Sequence, residues 1–349
     1  MAMAMNNALK AWKKDLAFTA GIVGSKPFQV LIQLTNKCNM RCSFCDFWPN
    51  VAPRAEELSV SDYERLGEQL SELGTFLISV EGGEPLVRPD LVDIVRVLSK
   101  KHITALFTNG WLVTDSLAKE LFSAGLVHAS VSIDYPDAPR HDAKRGLDGA
   151  FDRAWRAVDT FVRHAARGGK QVHVISVVME SNWQSLPQLF AQSAQRNVGH
   201  QLTLLSVNGF RRGADGPDRL PPPECGASLL QWHREFKHIR MLKGYFAQSE
   251  QWLKGGDARA ALPACYAGEQ SFNIDHVGAV SACIERIDEA VGTVKTQHLR
   301  DLLALLRARH PERAHCQDCW TLCRGVAQEL GHGASVSALL EMGARMRTT

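Results

Sequence analysis

From residue 27 the chain alternates short β-rich runs with stretches whose apolar residues recur at helical spacing, and that alternation restricts it to a parallel sheet joined by crossover helices. FQVLIQLT, FLISVEG, ITALFTNG, HASVSID, VHVISVVM and HQLTLLSV read as strands, separated by segments such as SVSDYERLGEQLSELG and PDLVDIVRVLSKK. Six such units between residues 27 and 207 predict an α/β fold, a partial (β/α)6 TIM-like barrel too short to close as the eight-unit form does. In such a barrel the chemistry belongs at the C-terminal ends of the strands.

The flanks have a different character. Residues 1–26 contain LKAWKKDLAFTAGIVG, read as an N-terminal helix packed on the main domain; the competing reading is a basic amphipathic helix on a membrane surface. It is not read as a signal peptide, because no small-residue cleavage pattern follows it. After the sixth strand, residues 208–224 (NGFRRGADGPDRLPPPE) are rich in Gly and Pro without a period, as expected of a loop or lid. Arg211 and Arg212 there suit a carboxylate or phosphate, or simply a solvated loop. Residues 225–349 change pattern again and read as a smaller module with a hairpin around SFNIDHVGAVSAC and a terminal cysteine cluster.

Composition removes several function classes. A net charge of +3 over 349 residues, with no long basic run, argues against nucleic acid as the main partner. No apolar run reaches the roughly 18 residues of a transmembrane segment. Nine cysteines gathered in clusters fit metal chemistry in a reducing cytoplasm better than a disulfide scaffold.

LTNKCNMRCSFCDFW, directly after the first strand, places Cys38, Cys42 and Cys45 within eight residues. Three thiolates around one centre suit an iron-sulfur cube with one open iron, whereas zinc would want a fourth ligand and no histidine lies close by. The spacing CNMRCSFC, with Phe44 in the aromatic place, resembles the C-x3-C-x-aromatic-C hallmark of the radical S-adenosylmethionine (SAM) superfamily. The resemblance implies a 4Fe-4S cluster on these thiols, whose open iron is chelated by the methionine part of SAM.

Three further stretches extend the resemblance. EGGEP after the second strand is similar to the family's GGEP motif, which implies that Gly82, Gly83, Glu84 and Pro85 hold the SAM ammonium. The glycines allow close backbone approach, and Glu84 offers a carboxylate to a cation. SVSID ends the fourth strand with Ser132 and Asp134 on one face, where relatives contact the SAM ribose. Arg145 resembles an arginine used against the SAM carboxylate, and a solvated loop arginine is the bland alternative. Asn109 in TNG stands where a third-strand end would line the site, or simply terminates the strand.

Cys265, Cys283, Cys316, Cys319 and Cys323 form a second group, while Cys225 stands alone as a small apolar residue. Twelve residues separate Cys265 from Gly278 and four separate Gly278 from Cys283, a spacing that resembles the SPASM/Twitch extension of the same superfamily. Five cysteines, not the seven of the full form, imply the shorter Twitch type with one auxiliary 4Fe-4S cluster. Cys265, Cys283, Cys316 and Cys319 are the favoured ligands by that analogy, with Cys323 able to replace one of the last two; structural zinc is the alternative.

The resemblance implies an oxidoreductase or related radical-mediated biosynthetic enzyme. It would cleave SAM reductively to a 5'-deoxyadenosyl radical, abstract hydrogen from substrate, and use the auxiliary cluster for oxidation or substrate binding. An external flavodoxin- or ferredoxin-like donor supplies the electron. A small metabolite is the expected substrate, because the stretch before the first strand is too short for a peptide-recognition domain; a ribosomal peptide is the alternative. The reading from another class is a zinc-binding scaffold without catalysis. Tyr135, Tyr266, Glu285 and Arg324 adjoin motif residues and are assigned no role.

Overall fold

The computed structural model describes residues 2–165, 169–207, 218–331 and 336–347. Six parallel strands form in chain order: β1 (Gln29–Thr35), β2 (Leu77–Gly82), β3 (Ile103–Thr108), β4 (His128–Ser132), β5 (Gln171–Val178) and β6 (Gly199–Leu204). Each β-rich run of the sequence holds one of them. Such strands are legible because both faces of a parallel sheet are covered, so the runs are rich in Val, Ile and Leu. All seven residues of β1 are buried.

The helices are α1 (Ala2–Val23), α2 (Val60–Leu73), α3 (Leu91–Leu98), α4 (Asp115–Ala124), α5 (Ala138–Arg145), α6 (Ala150–Ala165) and α7 (Leu186–Gln195), followed by α8 (Glu224–Glu235), α9 (Lys243–Lys254), α10 (Gly256–Ala260), α11 (Leu299–Arg313), α12 (Leu322–Leu330) and α13 (Val336–Arg347). Local chemistry sets their ends. Ser59 and Asp62 exchange bonds in a capping box at the start of α2, and Gly125, in a left-handed conformation at φ 112°, closes α4. Outward strand residues such as Val30, Ile32, Ile78, Val80 and Leu106 pack with apolar helix faces into the main core. In α1, Phe18 and Ile22 pack with Phe28, Ile103, Leu242 and Leu330, while Trp12, Leu16 and Val23 remain exposed.

The barrel does not close: the sheet runs β6-β5-β4-β3-β2-β1 and continues into β7 (Ser271–Ile274), β8 (Ala279–Ser281) and β9 (Gly292–Thr293). β7 lies parallel on β1 with Gln29 opposite Ser271, and turns at Gly278 into antiparallel β8. The cysteine-bearing hairpin of the sequence therefore extends the barrel sheet. On the far side, Arg240 donates its backbone N–H to His200 on the edge of β6, and the Leu204 N–H donates to Tyr245 Oη. No helix among the described residues is long and apolar enough to cross a membrane.

Candidate active site

The chain leaving β1 is tied down on two sides before it reaches the cysteines. On the β2 side, Gly83 donates its N–H to Thr35 O at 2.7 Å and Glu84 donates to Lys37 O at 2.9 Å. On the α5 side, the N–H groups of Arg41 and Ser43 donate to the terminal carbonyls of Arg145 and Lys144 at 3.1 and 3.3 Å. These carbonyls have no partner within the helix, so the cysteine loop serves as its C-terminal cap. Gly146 makes the approach possible: it sits at φ 64°, and a Cβ there would stand 2.8 Å from Arg41 O.

Cys38, Cys42 and Cys45 thus line one cavity of about 160 Å³ at the C-terminal ends of the strands, together with Phe44, Gly82, Gly83, Asn109, Ser132 and Arg145. Three expected site residues lie outside that lining. Glu84 is fully buried, with its carboxylate accepting from Leu86 N, Thr108 Oγ1 and Asn109 N at 3.0, 2.8 and 2.7 Å. Pro85 opens a buried 3-10 turn beside it. Asp134 faces Arg145, with their charged groups 2.5 Å apart, and also accepts from Val177 N at 2.9 Å.

Arg145 is buried, not a solvated loop residue. Its guanidinium lies 5.3 Å from the Phe44 ring centroid and puts Nη1 3.9 Å from Cys42 Sγ. The Asn109 amide lies 3.9 Å from Cys38 Sγ and donates to Asn39 Oδ1 at 2.8 Å. Burial pushes the Cys38 thiol up to about 12; it also raises Cys42, where Arg145 opposes the effect.

Several residues of this region carry no motif. Glu81 lines the cavity from the position before the paired glycines, and its place in EGGEP is the one signal that marked it. Trp48 lines the same cavity beneath the Arg41 guanidinium, 4.9 Å from the ring centroid. Asp218 accepts from Ser43 Oγ at 2.7 Å and from Lys144, which pins the chain after residue 217 to the cysteine loop. Arg211 and Arg212 lie outside the described residues.

The second cysteine group gathers where the β7–β8 hairpin meets the segment between α11 and α12. Cys265 precedes β7, Cys283 follows β8, Cys316 and Cys319 lie between α11 and α12, and Cys323 sits in the first turn of α12. Arg324 Nη1 donates to the carbonyls of Cys316 and Cys319, both at 3.0 Å, and holds that loop closed. Cys283 and Cys319 are pushed well above the usual thiol range by burial, with the other thiols and Glu285 close enough to add to it. Cys45 and Cys323 pack against the same small cluster of Leu31, Phe47 and Ile284, which separates the two groups.

None of the nine cysteines is paired in a disulfide. Among the described residues no trio of His, Cys, Asp or Glu side chains is already drawn around a common metal point, so the fit to iron-sulfur clusters rests on the donor set. That set fits: two groups of soft sulfur donors, the first placed at a strand-end cavity with room beside it.

Residues 32–191 match the model of the radical SAM superfamily. The mycofactocin maturase MftC of Mycolicibacterium smegmatis is 31% identical over 259 residues, 74% of this chain and 64% of that protein. The AdoMet-dependent heme synthase of Nitratidesulfovibrio vulgaris is 29% identical over 207 residues, 59% of this chain and 55% of that protein. The PqqA peptide cyclase of Granulibacter bethesdensis is 25% identical over 262 residues, 70% and 68% of the two. The chain thus spans less than two thirds of the length of the first two relatives. Among solved structures, native anSMEcpe with bound AdoMet shares the fold at a TM-score of 0.62 and 16% identity, over 91% of this chain and 97% of that one.

Proposed function

The chain belongs to the radical SAM superfamily, and from that membership we propose that it is a peptide-modifying enzyme with a catalytic cluster on Cys38, Cys42 and Cys45 and an auxiliary cluster in its C-terminal part. As a radical SAM enzyme it works through SAM and a 4Fe-4S cluster. When bound, these supply the one-electron cleavage of SAM. The observation that carries the reading is the convergence of the three thiols, Gly82, Gly83 and Arg145 on one strand-end cavity.

The roles of the protein groups follow from their contacts. Gly82 and Gly83 offer a backbone surface without side chains, the place where the methionine group of SAM would pack. Ser132 and Asn109 present hydrogen-bonding groups from the ends of β4 and β3. Arg145, fixed by Asp134 and Phe44, keeps a positive charge beside Cys42 and in the cavity wall. Glu84 and Pro85 act from behind: the carboxylate orders the Thr108–Asn109 strand end, and through it the Asn109 amide. For the auxiliary cluster we assign Cys265, Cys283, Cys316 and Cys319. Cys323, which lines the barrel interior, is left outside that set.

A peptide is favoured over a small metabolite because one relative that covers most of this chain is named for a peptide cyclase. The small-metabolite reading retains support from the heme synthase relatives. The electron is assigned to an external flavodoxin- or ferredoxin-like donor. The test is iron and sulfide content, with an anaerobic assay for 5'-deoxyadenosine, on reconstituted wild type and the triple variant Cys38→Ala/Cys42→Ala/Cys45→Ala. We expect about eight irons in the wild type, about four in the variant, and SAM cleavage only in the wild type. Zinc in place of iron, or cleavage that survives the triple substitution, contradicts the assignment. Stimulation of cleavage by porphyrins and not by peptides would transfer the substrate reading to a small molecule.

A further inference from the structure

Beneath the cysteine-lined cavity the barrel holds a second, partly open space of about 250 Å³, and Glu81, Phe107, Ile175 and Thr203 line both. Phe18, Leu77, Ile103, Leu242 and Leu330 give it an apolar floor. Barrel interiors are ordinarily packed with bulky branched side chains. Here the inward positions of β4, β5 and β6 are His128, Ser130, Gln171, His173 and Gln201 instead.

Some of these polar groups satisfy one another and some do not. Ser130 Oγ donates to Gln201 Oε1 at 3.0 Å. His173, 2% exposed, stacks on His128 with ring centroids 5.7 Å apart, and its Nδ1 has no hydrogen-bond partner. Gln29, 4% exposed and lining the same space from β1, has an unpartnered Oε1. Buried polar atoms are rarely left this way unless something else completes them. Gly199, opposite on β6, is what admits the imidazole: a Cβ there would stand 2.3 Å from His173 Nδ1.

Burial pushes His128 down to about 4 and His173 well below its ordinary value, so both rings are neutral and each offers one donor and one acceptor. Glu81 and Arg240 bring one charge of each sign to the lining, which leaves the space without a net charge to hold an ion. An apolar cavity of about 150 Å³ already admits benzene. The larger volume here has room for one ring and a short extension.

We propose that the lower lumen is a substrate subsite for an uncharged, ring-sized group with a hydroxyl or amide at its tip, held by the His128–His173 pair and Gln29 above the apolar floor. The assignment to substrate rests on the radical SAM reading of the upper cavity, whereas binding at the subsite does not require a cluster. It names the chemistry that a substrate side chain must present.

The test titrates benzyl alcohol, toluene and benzoate into the full chain and follows them by ligand-observed NMR, with His173→Leu and Ala105→Phe as variants and circular dichroism as the folding check. Ala105 lines the lumen, and the larger ring fills it. Benzyl alcohol should bind saturably and about tenfold more tightly than toluene or benzoate. Ala105→Phe should abolish binding, and His173→Leu should cut the preference over toluene below about twofold. If His173→Leu does not fold, Gln29→Leu takes its place with the same expectation. No saturable binding, tightest binding by benzoate, or equal binding of toluene and benzyl alcohol overturns the proposal. SAM cleavage measured on the reconstituted wild type separates the two readings: cleavage without benzyl alcohol binding removes the subsite alone, and binding without cleavage removes the radical SAM assignment alone.

Discussion

A single methyl group tests how tightly the cysteine loop is held. A Cβ on Gly83 would stand 2.3 Å from Lys37 O and 2.7 Å from Asn36 O, both backbone atoms just before Cys38. Neither can rotate away, so Gly83→Ala must displace the loop or the end of β2, at a cost of about 1–3 kcal/mol. Its denaturation midpoint should fall, and its iron content after reconstitution should fall with it. Gly67→Ala on α2 is the control, because its nearest neighbour stands at 3.8 Å and alanine favours a helix. Equal iron in Gly83→Ala and wild type would show that the contact does not position the thiols. The close approach was legible, since paired glycines after a strand have few other uses. The surroundings of Glu84 were not. The motif points its carboxylate at a cation, but Thr108 and Asn109 claim it from another strand, and no local pattern connects positions 24 and 25 residues apart.

At the scale of the strand, apolar periodicity located all six barrel elements but hid what their inward faces carry. HASVSID and VHVISVVM are legible as strands through residues such as Val131, Val172 and Val174, which pack into the main core, whereas nothing in the apolar pattern marks His128 and His173 on the inward face. The histidines have a measurable consequence. His128 and His141 are held near 4 by burial, against an unfolded value of about 6.5. Between these values the unfolded chain binds more protons than the folded one, so stability present above pH 6.5 is lost as the pH falls toward 4. Each residue should remove about 2 kcal/mol by pH 5. His102, His173 and His200 are lowered by burial too and act in the same direction. Urea denaturation of the iron-free protein should give a clearly lower midpoint at pH 5 than at pH 7.5, with a smaller difference in His128→Phe. A midpoint unchanged across that interval would mean that these imidazoles are hydrated in the folded state.

For the whole molecule, the decisive contact is one that composition could not reveal. The change of pattern near residue 225 reads as a second, smaller module, and its first strand extends the barrel sheet. Phe28 donates its N–H to Gln270 O at 2.9 Å, Gln33 Nε2 donates to Asn273 Oδ1 at 3.0 Å, and Phe76 meets Phe272 edge-on at 5.9 Å. Parallel pairing between segments some 240 residues apart leaves no periodic trace in either, so the hairpin was visible but its place was not. The opposite edge depends on the same region: Tyr245 Oη accepts from Leu204 N and donates to Trp320 O, and Thr203 Oγ1 accepts from Leu322 N. A chain ending at residue 224 would therefore expose the edge of β1 from Gln29 to Ile32 and the free edge of β6 at once. Unpaired edges of that kind pair with other chains, and the polar lumen would lose the walls that separate it from water. The fragment 1–224 should accumulate as aggregate, or as a soluble species without a cooperative urea transition, whereas the full chain unfolds cooperatively. A monodisperse fragment with a sharp transition would show that the six units fold alone. The second cysteine group would then be an attachment to a finished barrel, and not part of the wall that encloses its interior.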